Sequence, residues 1–149
     1  MKEKTGFTLI ELLVVIAIVS ILSAIVLFST AQYINKSKDA NIKGNLAILI
    51  SAGEAYYGAH NEDYGDFCSS GVVQNSINQM PQNSNESCTE NAAGMCCYVN
   101  TYGDAWAACA REFTDTTKAF CVDSRGVQKE IDNSECGSAG VGVDFQCSY

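Results

Sequence analysis

The chain of 149 residues has one proline (Pro81), one histidine (His60), one tryptophan (Trp106) and nine basic side chains. Each shortage excludes something. With no proline in the first eighty residues, nothing there breaks a helix by losing an N–H donor. A lone imidazole leaves no His-Glu-x-x-His zinc site. There is also no glycine-rich phosphate loop and no Gly-x-Ser-x-Gly elbow. No catalytic constellation, metal set or cofactor loop is left, so no enzyme is expected, and His60 reads as a helix-end cap. Nine basic groups against seventeen acidic ones give a net charge of −8. Such a balance repels phosphate backbones and lacks the basic footprint of a general nucleic-acid binder. Cysteine is missing before residue 68, and charge is missing from residues 12–35.

That uncharged stretch is the main positive feature. As a helix rising about 1.5 Å per residue, it reaches roughly 36 Å, enough to cross a hydrocarbon core about 30 Å thick. A short leader with Lys2 and Lys4 precedes it, then Gly6-Phe7-Thr8-Leu9-Ile10-Glu11. Glu11 is anomalous, because a carboxylate at the bilayer centre costs about 2.5 to 3.5 kcal/mol. A cut after Gly6 would place a new amine on Phe7, one helical turn from Glu11, and a neighbouring subunit's amine could neutralise the carboxylate in an apolar bundle. The residues equally allow a signal anchor whose glutamate stays at the interface. Losing the leader removes Lys2, Lys4 and Glu3, which takes the net charge from −8 to −9.

Gly6-Phe7-Thr8-Leu9-Ile10-Glu11 with the apolar run resembles the N-terminus of type IV pilins and pseudopilins, closely over about residues 1–30. The resemblance implies removal of residues 1–6 by a prepilin peptidase, with Gly6 and Phe7 at the cut and Phe7 becoming N-methylated. It also implies a homo-oligomeric helical filament whose core is the bundled apolar helices, with Glu11 facing the Phe7 amine of an adjacent subunit. The precursor would sit in the cytoplasmic membrane before joining an extracellular pilus. Many family members carry a glycine and a proline within this run. Ser20 and Phe28 stand there instead, so any loosening of the helix rests on Ser20, Ser23, Ser29 and Thr30 bonding back to it.

Eight cysteines (Cys68, Cys88, Cys96, Cys97, Cys109, Cys121, Cys136, Cys147) lie in the C-terminal part. An even count behind an export signal reads as disulfides in an oxidising compartment. Zinc is the rival reading, but the one close pair, Cys96-Cys97, lacks the usual ligand spacing. Roughly 105 connectivities are open.

In chain order, Ile42, Leu46, Leu49, Gly53 and Tyr56 step by four and three residues and mark one helical face, with Lys36, Lys38, Asp39, Lys43 and Glu54 mostly off it. One helix is therefore expected over residues 7–59. Residues 60–93 are polar and read as a surface connection with a helical turn at 72–80, its ends pinned by Cys68 and Cys88. Asn85-Glu86-Ser87 fits a glycosylation acceptor, a pattern common by chance. Short strands are expected at 96–102, 105–113, 118–123 and 126–131, the last two joined by a turn at Asp123-Ser124-Arg125-Gly126. Alternation along a strand sends Cys96 and Cys97 to different partners. The sheet region also resembles, more loosely, that of disulfide-bearing pilins. A tail at 132–149 would be held by Cys136 and Cys147. Its Asp132, Asn133, Glu135 and Asp144 lack calcium-loop spacing and read as solvated.

The expected fold is α+β, a long N-terminal helix packed on a small antiparallel sheet. Its organisation is leader 1–6, filament-core helix 7–34 and globular domain 35–149, comprising helix 35–59, loop 60–94, sheet 95–131 and tail 132–149. The expected function is that of a pilus-like structural subunit. The alternatives are a pseudopilin of a type II secretion or DNA-uptake apparatus, or a secreted domain released by signal peptidase after Ala31. An apolar segment longer than the usual signal core of about 7 to 15 residues argues against the last.

Overall fold

The structure is a computed structural model and describes residues 6–81, 94–137 and 147. By its internal contacts the chain divides into two compact units, Met1–Asn35 and Lys36–Tyr149. Helix α1, Leu9–Ala59, runs through the boundary.

In the first unit, the side chains of residues 9–27 are exposed throughout. Apolar groups surround the helix on every side, a pattern stable only in lipid or inside a larger assembly. By length and composition this segment is long and apolar enough to span a membrane. The hydroxyls of Ser20, Ser23 and Thr30 donate to the carbonyls of Ile16, Val19 and Val26 at 2.6, 2.8 and 2.8 Å. Such bonds satisfy polar groups where no water is at hand.

The second unit is built on a four-stranded antiparallel meander: β1 (Met95–Val99), β2 (Trp106–Arg111), β3 (Lys118–Asp123) and β4 (Gln128–Asp132), in that spatial order. Side chains alternate between two faces. Trp106, Ala108, Ala110 and Val122 join Ile42, Leu46 and Leu49 of α1 in one core, while Ala107, Cys109, Ala119, Cys121 and Ile131 form a second on the opposite face. The steps of four and three in the sequence therefore do mark the packed face. At Gly53 the helix and Trp106 are so close that an added Cβ would lie 2.7 Å from the indole Nε1. The turn between β3 and β4 closes with Gly126 N–H donating to the Asp123 carbonyl at 2.9 Å, with Gly126 at φ +80°. Positive φ at that corner suits glycine, which has no Cβ to clash. At the β4 edge Gln128, Glu130 and Asp132 are exposed while Ile131 is buried.

Two expectations need correction. The segment after His60 is more than a surface connection. The expected helical turn is there as helix α2, Gly71–Gln79, but the segment also forms a 3-10 turn at Phe67–Ser69 and sends Tyr64, Phe67, Val73 and Met80 into the first core. Phe67 and Tyr64 lie 4.8 and 6.4 Å from Trp106 between ring centroids, so aromatic packing across the chain outweighs the polar composition. Asp39, expected to lie with the charges off the packed face, is buried. Its carboxylate accepts the backbone N–H groups of Phe113 and Thr114 at 2.6 and 3.0 Å and the Thr114 hydroxyl, tying α1 to the β2–β3 connection.

Burial beside the Glu54 carboxylate pushes the Tyr64 phenol up to about 12. The hydrogen bond to Glu112, at 2.7 Å, likewise raises Lys43 above its ordinary value. Both groups hold their protons more tightly folded than unfolded. Their contribution to stability is therefore complete below about pH 10 and is lost as pH climbs toward 12. Thermal melts between pH 9 and about 12 should show a steep alkaline fall that Tyr64→Phe makes shallower. An unchanged slope in that variant would mean that Tyr64 ionises normally.

Candidate assembly site

The first turn of α1 holds the residues singled out at the N-terminus. Gly6 and Phe7 precede the helix, and Phe7 is exposed. Thr8 stands just before Leu9, and three residues later comes Glu11. The Glu11 Oε2 accepts the Thr8 backbone N–H at 2.8 Å and the Thr8 hydroxyl at 2.7 Å, while the Thr8 Oγ1 accepts the Glu11 N–H at 3.3 Å. This is a capping box, with side chains and amides at a helix start satisfying one another. Sequence reasoning missed this role of Thr8, although Thr8-Leu9-Ile10-Glu11 before an apolar run has the spacing such a box requires. Both bonds from Thr8 fall on Oε2. A carboxylate has about four acceptor positions, so Oε1 keeps capacity for a further donor.

The cysteines hold the second unit. Disulfides join Cys68 to Cys97, Cys109 to Cys136 and Cys121 to Cys147. The first ties the 3-10 turn to β1 on the core shared with α1. The other two bring short helix α3 (Asn133–Gly137) and Cys147 onto the opposite face. Cys97 and Cys96 face opposite cores, as alternation requires. Cys88, Asp144 and the Asn85 triplet lie outside the described residues.

Asp123 is the other residue that sequence reasoning passed over. It is fully buried at the end of β3. Its Oδ1 accepts the N–H groups of Arg125 and Val127 at 3.0 and 3.1 Å, and its Oδ2 accepts the Cys147 N–H at 3.2 Å and the Arg125 guanidinium at 2.8 Å. One carboxylate thus binds the hairpin turn to the far end of the chain.

Of the residues considered for calcium and read as solvated, Asp132 pairs with Lys118 at 2.6 Å, but the reading needs correction for Asn133, which is buried, its N–H donating to the Thr117 carbonyl. Among the described residues, no group of three or more His, Cys, Asp or Glu side chains is arranged to hold a metal. The His60 Nδ1 lies 2.8 Å from the Tyr56 carbonyl and its ring stacks on Tyr56, the position of a helix C-terminal cap.

The helix start, capped by its own threonine and glutamate, leads into an apolar helix exposed on every side. Residues 1–27 match the family model described as the prokaryotic N-terminal methylation motif. The chain is 51% identical over 55 residues to the type IV major alpha-pilin of Moraxella bovis, covering 37% of this chain and 35% of that protein. Fimbrial protein Q of Moraxella bovis matches at the same identity and coverage. The type IV major pilin protein PilA of Myxococcus xanthus (strain DK1622) is 39% identical over 62 residues, 42% of this chain and 28% of that protein. The chain thus spans about a third of the length of the curated relatives it matches. No solved structure matches it. Motif and relatives support the type IV pilin family, and the α+β arrangement with its disulfides is consistent with that family's fold. The motif and apolar helix fit a precursor inserted in the membrane that becomes extracellular pilus.

Proposed function

We propose that the chain is a structural subunit of an extracellular type IV pilus-like filament, and that its action is polymerisation rather than catalysis. The observation that carries this reading is the apolar stretch of α1, exposed over residues 9–27 and bearing one carboxylate in its first turn. Burying such a surface on leaving the bilayer requires other apolar helices, and copies of the same chain supply them. In this reading a prepilin peptidase cuts after Gly6, and Phe7 becomes the methylated terminus. The free acceptor capacity of Glu11 then takes the Phe7 amine of the adjacent subunit, while Oε2 keeps its own helix capped. A pair of opposite charges set in an apolar bundle fixes register, since a misplaced subunit would bury both charges unpaired. The relatives named as major pilins favour this reading over a pseudopilin.

Intact-mass and N-terminal analysis of protein sheared from the cell surface tests it. The expected chain begins at N-methylated Phe7. A soluble chain beginning at Gln32 would overturn the filament reading.

A further inference from the structure

Each described disulfide steps over another cysteine. Cys68 reaches Cys97 across Cys88 and Cys96, Cys109 reaches Cys136 across Cys121, and Cys121 reaches Cys147 across Cys136. The last two bridges cross one another in sequence. The sheet register adds an independent observation. Cys96, Cys109 and Cys121 occupy directly opposed positions on β1, β2 and β3 and share one face. Opposed side chains on neighbouring antiparallel strands have Cβ atoms about 4.5–5.5 Å apart. A disulfide needs about 3.8 Å, a small adjustment while the strands are still loose.

We propose that the native bridges are reached through thiol–disulfide exchange that resolves a first-formed Cys109–Cys121 bridge, a step that a dithiol isomerase accelerates. The inference concerns an exported, oxidised domain and holds whether or not the domain coats a filament.

Two arguments favour that first bridge. Cys109 and Cys121 are 12 residues apart, whereas the native bridges from them span 27 and 26 residues, and shorter loops close at lower entropic cost. The β2–β3 hairpin also brings the two sulfurs together without help from the tail, which lies later in the chain. Local hairpins form in microseconds, far faster than disulfides.

The first step of the rescue is redox-neutral. The Cys136 thiol loses its proton to solvent, and its thiolate attacks the Cys109 sulfur. The Cys109–Cys121 bond breaks, the Cys109–Cys136 bond forms, and Cys121 departs as a thiolate. Cys121 and Cys147 then lose two electrons and two protons to a disulfide-bearing oxidant, which becomes a dithiol. An isomerase works by the same attack, through a mixed disulfide on Cys109 or Cys121 that Cys136 or Cys147 displaces. Timing is set by burial. Cys109, Cys121, Cys136 and Cys147 are each 3% exposed or less, so no external thiol reaches them once the tail lies on the sheet.

The test uses the full chain in detergent micelles, reduced and denatured, then oxidised in two ways. One arm receives diamide, which leaves no thiol for exchange. The other receives mixed reduced and oxidised glutathione with protein disulfide isomerase. Acid-quenched samples are digested and their bridges mapped by mass spectrometry, a readout that does not require folding. Cys109–Cys121 should predominate with diamide, and the Cys109–Cys136 and Cys121–Cys147 bridges should rise at least fivefold with the isomerase. Equal native yields in both arms would overturn the proposal, and so would an isomerase arm without native bridges. A Cys121→Ser/Cys147→Ser variant lacks the trap and should form Cys109–Cys136 with at least threefold less dependence on the isomerase. Undiminished dependence in that variant would rule out Cys109–Cys121 as the obstacle.

Discussion

Replacing Asp123 with alanine should destabilise the second unit by about 3 kcal/mol or more, lowering Tm on the order of 10 °C. The side chain is fully buried, and among the described residues five hydrogen bonds converge on its two oxygens. Hydrogen bonds to a charged acceptor contribute about 1.5–3 kcal/mol each, and a buried donor left without a partner costs about 1–3 kcal/mol. The substitution strips an acceptor from the amides of Val127 and Cys147 at once. Arg125 contributes less to the loss, because its guanidinium side is half exposed and regains water. Asp123→Asn should fall between, since it keeps an acceptor for the turn amides and sets an NH2 donor against the Arg125 and Cys147 donors. Calorimetry of the full chain in detergent, with disulfides intact, would read the difference. An alanine variant that melts with the parent would show that water replaces the carboxylate at no cost.

The second large effect concerns assembly. Glu11→Ala should reduce surface filaments at least tenfold while leaving the chain in the membrane with Phe7 at its terminus. Two losses are combined in that variant. One is the capping box, which contributes about 1 kcal/mol to the helix start. The other, in the proposed filament, is the partner of the neighbouring amine, and an uncompensated charge among apolar helices costs several kcal/mol per subunit. Thr8→Val separates them, for it removes the hydroxyl from the cap and leaves the carboxylate in place. Filament yield by shearing and immunoblot should fall only slightly with Thr8→Val. Equal losses in both variants would assign the effect to helix capping alone.

What could be read from the sequence was whatever depends on near neighbours. The steps Ile42, Leu46, Leu49 and Gly53 mark a helical face because residues three and four apart are neighbours on any α-helix. The four strands appear within a few residues of their expected places, and the turn from Asp123 to Gly126 sits where its glycine is. What stayed hidden depends on partners far along the chain. Phe67 lies in a polar stretch without period, and its burial is explained by Trp106 and Tyr56, which come against it from elsewhere in the chain. Asp39 and Asp123 look like solvated charges until the amides of Phe113 and Cys147 arrive from distant segments. The disulfide partners stand 26 to 29 residues apart, which no local rule selects. Thr8 is the exception, a local signal overshadowed by the electrostatic cost of Glu11.

The polar edge at β4 bears on crowding. A subunit held in a filament meets its neighbours at very high local concentration, where an open strand edge recruits any other strand that drifts against it. Exposed Gln128, Glu130 and Asp132, with Lys129 among them, make that edge costly to strip of water. Lateral sheet growth between neighbouring domains, the route to aggregates, is discouraged along this edge. In the proposed filament, subunits could then pack closely while the helix core, with its Glu11 charge pair, sets where each one goes.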